Sequence, residues 1–417
     1  MKQLLLVFTL FCFLDLHSQT VSLERCIELT KENYPKIKQL NTNLEILDLK
    51  IESIKMLTRP KIDFNAQVSY QSDVTHITLP ANSPFSVPVL SKDQYKVYAE
   101  INQIIYDGGV GKAQIHLEET NTQISQSSLA VEVYQLNERT IQLYFTVLAL
   151  QETEYQLDLV KKDFDDRYKQ AVVSMKNGVI LESEVDKLAI EILKIEQQKI
   201  DASSGKNSAI QVLSEITGMK IEDFNTFSTP ELKMTTQTRQ RPEFQLYDYQ
   251  KNRFVEQQNL NQLKYKPKIY AFGQGGYGKP GMNMLENKYD TYYIVGLRLN
   301  WNIWDWGNTA RESKVNSLQI NYIDQQRQTL EQNLNILEGK EKSNQIKIES
   351  LIEKDKQILE LRKKIVTRAA SQYENGIITP TEYAVEKFAY SMSELSLKMH
   401  QLQMLQSQYT IQYINGL

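Results

Sequence analysis

The run Tyr293–Gly307 alternates so strictly that it all but dictates its conformation. Tyr293, Val295, Leu297, Leu299, Trp301 and Ile303 fall on one side of an extended strand, and Ile294, Gly296, Arg298, Asn300 and Asn302 on the other. Side chains of a strand point to its two faces in turn, so one face here is apolar and the other mixed. Alternation of this length, closing in Trp301, Trp304 and Trp306, is the pattern of a transmembrane β-strand: lipid outside, water inside, aromatics at the boundary. Alone, the run reads more readily as a half-buried strand of a soluble sheet. A second copy upstream shifts the balance.

Tyr95–Gly109 matches Tyr293–Gly307 position by position at an offset of 198, the distance from Asp107 to Asp305. Tyr95, Val97, Ala99, Ile101 and Ile105 take the outward positions, and Glu100 stands where Arg298 does. The offset persists far downstream, where Asn177-Gly178 pairs with Asn375-Gly376. Before the strands, Tyr34-Pro35 through Arg59-Pro60-Lys61-Ile62 parallels Arg241-Pro242 through Lys266-Pro267-Lys268-Ile269. The register differs there because the loop between paired strands differs in length, which surface loops tolerate. Each copy reads helix, strand, loop, strand, long helix, turn, helix, and the chain is read as an internal duplication.

Met1-Lys2, the apolar run Leu4–Leu14 and polar His17-Ser18-Gln19 predict a signal peptide over residues 1–18. Cys12 would leave with it, and Cys26 then stands alone, without a disulfide or redox partner. The first repeat spans 19–217, an irregular equatorial linker carrying Pro230 spans 218–241, and the second repeat spans 242–417. Ser22 is placed to cap a first helix that runs to about Leu57, with a kink at Pro35. Ile62, Phe64, Ala66, Val68 and Tyr70 then alternate as the first strand, and the proline-bearing loop Thr78–Ser91 leads to the second. Val110–Lys176 contains no proline, and Leu136, Leu143, Leu150, Leu157 and Phe164 recur at sevens, a coiled-coil seam. In the second copy the seam is read at Leu330, Leu337, Leu351, Ile358 and Ile365.

A net charge of −3 gives no footprint for nucleic acid. The mean hydropathy of −0.45 is compatible with a barrel, because only alternate residues face lipid. His76, His116 and His400 are scattered without metal-ligand spacing, and no nucleophile elbow or phosphate loop is visible. Gly273-Gln-Gly-Gly-Tyr-Gly278 satisfies G-x-G-x-x-G but runs into Lys279-Pro280, not a helix. Those glycines read as strand positions of close packing. No catalytic residue, metal or cofactor is expected.

The duplicated Tyr-Pro and Arg-Pro-Lys-Ile blocks, the strand pairs ending in Asp107-x-Gly109 and Asp305-x-Gly307, and the two Asn-Gly tips resemble the TolC family of outer-membrane efflux proteins, over essentially the whole mature chain. The expected fold is a mixed α/β membrane protein, a long α-helical coiled-coil barrel continuous with a β-barrel built from four strands per chain. Four strands cannot close a barrel and open edges are not tolerated in lipid, so chains must pool strands. The resemblance implies a homotrimer with twelve strands in the outer membrane of a Gram-negative-type cell. It also implies helices extending into the periplasm, a periplasmic adaptor and an inner-membrane pump or ABC transporter as partners, and efflux or type I secretion as the function. The alternative from another class is a non-conducting periplasmic coiled-coil scaffold. Glu100, Arg298 and Asn300 are expected to face the lumen, with Asp107, Gly109, Asp305 and Gly307 at the barrel-to-helix junctions. The tips Asn177, Gly178, Val179 and Asn375, Gly376, Ile377 are expected to contact the adaptor. Glu184 and Glu382 lie six residues beyond Gly178 and Gly376, the spacing at which family carboxylates line the periplasmic entrance. Ile378 and Val385 stand where the family has an arginine and a second acid, so apolar packing is expected to close the gate. Solvated acids on a helix surface are the alternative for both glutamates.

Overall fold

The structure is a computed structural model and describes residues 20–78, 80, 84, 87–223, 227–232 and 239–416. The expected signal peptide lies outside the described residues, as do parts of the loop 78–91 and of the linker 218–241. In chain order the elements are α1 (Leu23–Asn33), α2 (Gln39–Met56), β1 (Lys61–Tyr70), β2 (Asp93–Tyr106), α3 (Val110–Lys176) and α4 (Glu182–Thr217). The second set is α5 (Pro242–Gln262), β3 (Lys268–Lys279), β4 (Asp290–Asn300), α6 (Asn308–Glu374) and α7 (Pro380–Asn415). Helices α3 and α6 each run 67 residues, and α4 and α7 each run 36.

The helix expected to reach Leu57 is interrupted at Tyr34. The residue before a proline is pushed out of the helical region, and Tyr34 is extended with ψ 118°. A 3-10 turn over Pro35–Lys38 separates α1 from α2.

The chain divides into two compact units. One, Lys38–Ser128 with Glu243–Thr329, holds the sheet and the adjoining helices. Its strands pair antiparallel in the order β1-β2-β3-β4, leaving one edge each of β1 and β4 open within the chain. Phe64, Ala99, Gly275 and Tyr293 form one cross-strand row, and Asp63, Glu100, Gln274 and Ile294 form the next. Because the side-chain period is two, this register collects the outward residues through Ile101 and Leu299 on one face, but the register shift between Ile104 and Tyr106 leaves Ile105, expected outward, out of the pairing and puts Tyr106 opposite Ile269 instead. Strand β4 ends at Asn300, paired with Lys268, so the expected alternation through Trp301 and Ile303 stops short. Pro267 precedes Lys268 and has no N–H to extend the ladder. Trp301 instead donates its indole N–H to the carbonyl of Tyr265 at 2.9 Å. Ion pairs Lys50–Glu118, Lys251–Asp324 and Arg327–Asp248, each at 2.7 Å, join α2 to α3 and α5 to α6.

The other unit comprises residues up to Ile37, Leu129–Pro242 and Leu330–Leu417. Ser22 caps α1, accepting from the N–H of Arg25 at 3.2 Å. Leu23, Cys26, Tyr144, Val147, Leu213 and Phe227 build one core. The Tyr144 hydroxyl there donates to the carbonyls of Val21 and Ser228, both at 2.7 Å. Phe227 therefore holds part of the linker against the helices, and Gly218, left-handed at φ 70°, ends α4 before it. A second core gathers Leu157, Phe164, Ala171, Leu188, Ile195 and Ala384, with Phe388 and Met392 packed against it. Helix α7 thus lies in the groove of the α3/α4 hairpin.

The α6 seam departs from the expectation. Leu337, Leu351, Ile358 and Ile365 are exposed, while Leu334, Ile348, Asp355 and Ala369 are buried. The same seven-residue series also passes through the half-buried Glu341 and Arg362, and Glu341, Asp355 and Arg362 meet Ser407, His400 with Ser396, and Glu386 on α7. Charged residues occupy seam positions because α7 supplies a polar partner to each.

Candidate functional site

Two surfaces matter, one in each unit. In the sheet, Ile62, Phe64, Val68, Tyr293, Val295, Leu297 and Leu299 lie on one face, with Tyr293 81% and Leu297 75% exposed. From β1 through β4 that face carries Ile, Phe, Ala, Val, Tyr, Leu and Gly over the central rows and no charged residue there. A patch of this extent is an anomaly on a surface in contact with water. The opposite face holds Asp63, Lys96, Glu100, Gln274 and Arg298. Asn102 donates to Glu100 at 2.9 Å, and the Arg298 guanidinium lies 5.1 Å from the Phe272 ring centre. Asn300, the last residue of β4, shares the face of Arg298 by register.

Within the Gly273–Gly278 run, Gly276 and Gly278 are positions of close approach on this polar face, whereas Gly273 and Gly275 lie on the apolar face with room for a side chain. A Cβ on Gly276 would meet Tyr98 Cβ at 2.6 Å, and one on Gly296 would meet the Phe272 ring at 2.9 Å. Rings from neighbouring strands lie over these glycines, so the motif serves strand packing.

At the junctions an aspartate caps each long helix. Asp107 accepts from the N–H groups of Gly109 at 2.7 Å and Gly111 at 2.6 Å. Asp305 accepts from Gly307 and Asn308, from both the N–H and the hydroxyl of Thr309, and from the Tyr265 hydroxyl at 2.6 Å. The Thr309 and Tyr265 hydroxyls hold its carboxyl well below the usual carboxylate range. Gly109 and Gly307 take the left-handed backbone, at φ 89° and 73°, that turns strand into helix.

In the helical unit the two hairpin tips are built alike. Gly178 and Gly376 are left-handed at φ 71° and 70°. The N–H of Val179 reaches the Ser174 carbonyl at 2.9 Å, and that of Ile377 reaches Gln372 at 2.8 Å, closing a Schellman turn in each. Asn375 adds a bond from its side-chain amide to the Ser371 carbonyl at 2.7 Å, while Asn177 is the exposed residue at the other tip. Val179 and Ile377 project outward, 73% and 69% exposed.

The acids beyond the tips differ. Glu382 closes a capping box: Thr379 N–H donates to its carboxylate at 2.8 Å and Glu382 N–H donates to the Thr379 hydroxyl at 3.2 Å. Glu184 accepts from Lys187 at 2.7 Å, and Lys187 with Thr381 lowers its pKa. Thr381 also donates to the Glu184 backbone carbonyl at 3.4 Å, tying the first turns of α4 and α7 together. Ile378, Glu382 and Val385, set apart in sequence, share a cavity of about 500 Å³ with Ile365, Arg368 and Glu386.

Sequence reasoning missed the side chains that join the two hairpins. Arg167 of α3 lies 5.1 Å from the ring centre of Tyr373 and 4.6 Å from that of Tyr383, which stack at 5.5 Å. Tyr373 also donates to Gln170 at 3.2 Å. The partners are more than 200 residues apart, and no local motif signals them.

No protein-family model matches the chain, and no curated protein matches it. Solved structures do. The CmeC outer membrane channel of Campylobacter jejuni superposes with a TM-score of 0.66 at 15% identity, over 94% of this chain and 85% of that one. The outer membrane protein VceC of Vibrio cholerae gives 0.66 at 12% identity, over 94% and 96%. The MtrE outer membrane channel of Neisseria gonorrhoeae, in its open state, gives 0.63 at 12%, over 94% and 89%. Long helical hairpins carrying a four-stranded antiparallel sheet are thus the fold of the TolC-family outer membrane channels, and this chain has that fold.

Proposed function

We propose that the chain is the outer-membrane channel of an efflux or secretion system, a conduit and not an enzyme. The observation that carries this reading is the sheet face whose central rows are apolar and uncharged, on a sheet with open outer edges. Lipid accepts such a face, and only closure removes its edges. Three copies pooling four strands each would form a twelve-stranded barrel, with the polar face of Glu100 and Arg298 toward the lumen. Equal helix lengths at a constant offset support a duplicated chain and hence a near-sixfold helical wall. Among the described residues no helix is long and apolar enough to cross a membrane, so insertion would rest on the strands. Val179 and Ile377, exposed on rigid turns, are the proposed contacts for a periplasmic adaptor, through which an inner-membrane pump would drive export.

Membrane fractionation followed by gel electrophoresis without boiling tests the reading. A detergent-dependent, heat-sensitive trimer that conducts in planar bilayers is expected. Recovery in the soluble periplasmic fraction without detergent would instead establish the non-conducting scaffold.

A further inference from the structure

The two hairpin tips share an Asn-Gly pair and a turn, and differ in what surrounds the asparagine. In such a pair the backbone nitrogen of the glycine can attack the side-chain carbonyl carbon of the asparagine, because no Cβ shields the approach. Space permits this at both tips: nothing lies within 4 Å of where a Cβ on Gly178 or Gly376 would stand. The glycine N–H groups are matched as well, donating to the carbonyls of Met175 at 2.9 Å and Tyr373 at 3.0 Å.

The asparagines are not matched. Asn375 commits its side-chain amide to the Ser371 carbonyl at 2.7 Å, which holds the group back along α6. Asn177 is exposed, and among the described residues its side chain has no partner, so no bond has to break for it to turn toward Gly178. Flanking charge acts in the same direction. Lys176 precedes Asn177 and Glu374 precedes Asn375, and all four are exposed. The attacking nitrogen sheds its proton and the carbonyl oxygen gains negative charge, which a neighbouring cation favours and a neighbouring carboxylate opposes. We propose that Asn177 is a site of spontaneous deamidation and that Asn375 is its protected counterpart.

The step balances with water as the co-reactant. The Gly178 nitrogen bonds to Asn177 Cγ, the Cγ–Nδ2 bond breaks, and Nδ2 leaves as ammonia with the proton that Gly178 sheds. Water then opens the cyclic imide at either carbonyl carbon and returns a proton to the nitrogen. One opening restores the backbone and leaves an aspartate; the other routes the chain through Cβ and Cγ as an isoaspartate. Either product puts a carboxylate at the C-terminus of α3, where the helix dipole disfavours negative charge. The isoaspartate also lengthens the turn that the bond from the Val179 N–H to the Ser174 carbonyl closes. The exposed Val179 would then be displaced; that this weakens an adaptor contact rests on the proposed function, whereas the chemistry does not.

Ageing the full chain in detergent at neutral pH in heavy-oxygen water, followed by peptide mass mapping, tests this. Heavy oxygen enters only where the side chain has lost its nitrogen during ageing. Asn177 should convert about two- to tenfold faster than Asn375, the factor that one hydrogen bond confers. Lys176→Glu should slow conversion at Asn177, and Glu374→Lys should quicken it at Asn375 without bringing it to the rate of Asn177. The same chain aged in denaturant should show a smaller ratio, because unfolding releases Asn375 from Ser371 and leaves only the flanking charges to distinguish the sites. Equal rates in the folded chain, or a faster Asn375, overturn the proposal. So does a ratio unchanged by denaturant, which would remove the fold as the source of protection, and so does a folded chain in which neither site converts while both convert in denaturant.

Discussion

Trp306 holds the left-handed backbone position, φ 59°, that Gly108 holds at φ 73° in the corresponding strand-to-helix turn 198 residues earlier. The two sites tolerate side chains differently. A Cβ on Gly108 would come within 2.8 Å of Lys266 Cβ, whereas the Trp306 indole stands 79% exposed beside Trp304. A left-handed L-residue costs about 1–2 kcal/mol, so Trp306 carries strain at this turn. Trp306→Gly should be nearly neutral in detergent, because relief of that strain and the roughly 0.5–1 kcal/mol disadvantage of glycine offset each other. Gly108→Trp should destabilise by more than about 2 kcal/mol. Thermal unfolding followed by circular dichroism distinguishes the sites, and equal effects would show that the left-handed turn alone matters.

On the sheet, neighbouring positions should respond in opposite ways. Leu297→Arg places a charge on the apolar face and should cost about 2–4 kcal/mol near the bilayer midplane, while Arg298→Ala should be mild. Refolding into lipid vesicles under denaturant titration measures both. If aqueous thiol reagents label Leu297→Cys readily and Arg298→Cys not at all, the faces are reversed.

Much of this was legible in the sequence because it is local. Strand alternation, the Asn-Gly tips and the aspartates at the junctions are each written within a few residues, and the structure follows the pattern except where β4 stops at Asn300 and the β2 register shifts beside Ile105. The α6 seam was not, since the half-buried Glu341 and Arg362 and the buried Asp355 occupy seam positions where each meets a polar partner on α7. The apolar series Leu337, Leu351, Ile358, Ile365 is genuine but faces outward. An apolar stripe records burial, and within one chain it does not say against which copy. The Arg167 clasp was invisible for a related reason, being made of partners brought together only by the packing of α7 on α3.

That clasp should hold the hairpins together. Removing the guanidinium loses two ring contacts, each about 0.5–1 kcal/mol at partly exposed sites. Arg167→Ala should therefore speed amide exchange over residues 370–384 without altering the sheet. A double-mutant cycle with Tyr383→Leu should show coupling of about 0.5–1 kcal/mol. Zero coupling would reduce the arrangement to coincidence of packing.

Acid should loosen the α4 first turn. Lys187, then Thr381, lowers the Glu184 pKa below its ordinary value, so the carboxylate adds stability above the unfolded-state pKa. That contribution falls away as pH drops through the folded-state pKa. Because Lys187 is largely exposed, the pair is worth no more than about 0.5 kcal/mol. Glu184→Gln should lower stability by that amount at pH 7 and not at all at strongly acidic pH. A difference that persists unchanged in acid would assign the effect to packing.

Glu382 offers the sharpest test of the proposed gate, because its helix-capping role can be separated from the electrical role proposed for it. Its carboxylate accepts from the Thr379 N–H and hydroxyl, and a capping box is satisfied by Gln as well as Glu. Glu382→Gln therefore removes charge and keeps the cap, whereas Glu382→Ala removes both and should cost about 1 kcal/mol of helix stability. If three copies set Glu382 and Glu184 around one opening, the closely spaced acids favour cations and bind multivalent ones. Glu382→Gln should then weaken cation selectivity and multivalent block in planar bilayers while leaving Tm unchanged. Ile378 and Val385 line the same cavity as Glu382, and their truncation to Ala removes packing without touching charge. Basal conductance should rise more in Ile378→Ala and Val385→Ala than in Glu382→Gln. Unchanged selectivity and block in Glu382→Gln, beside a lowered Tm in Glu382→Ala, would leave Glu382 as a helix cap and move the search for the gate to other residues.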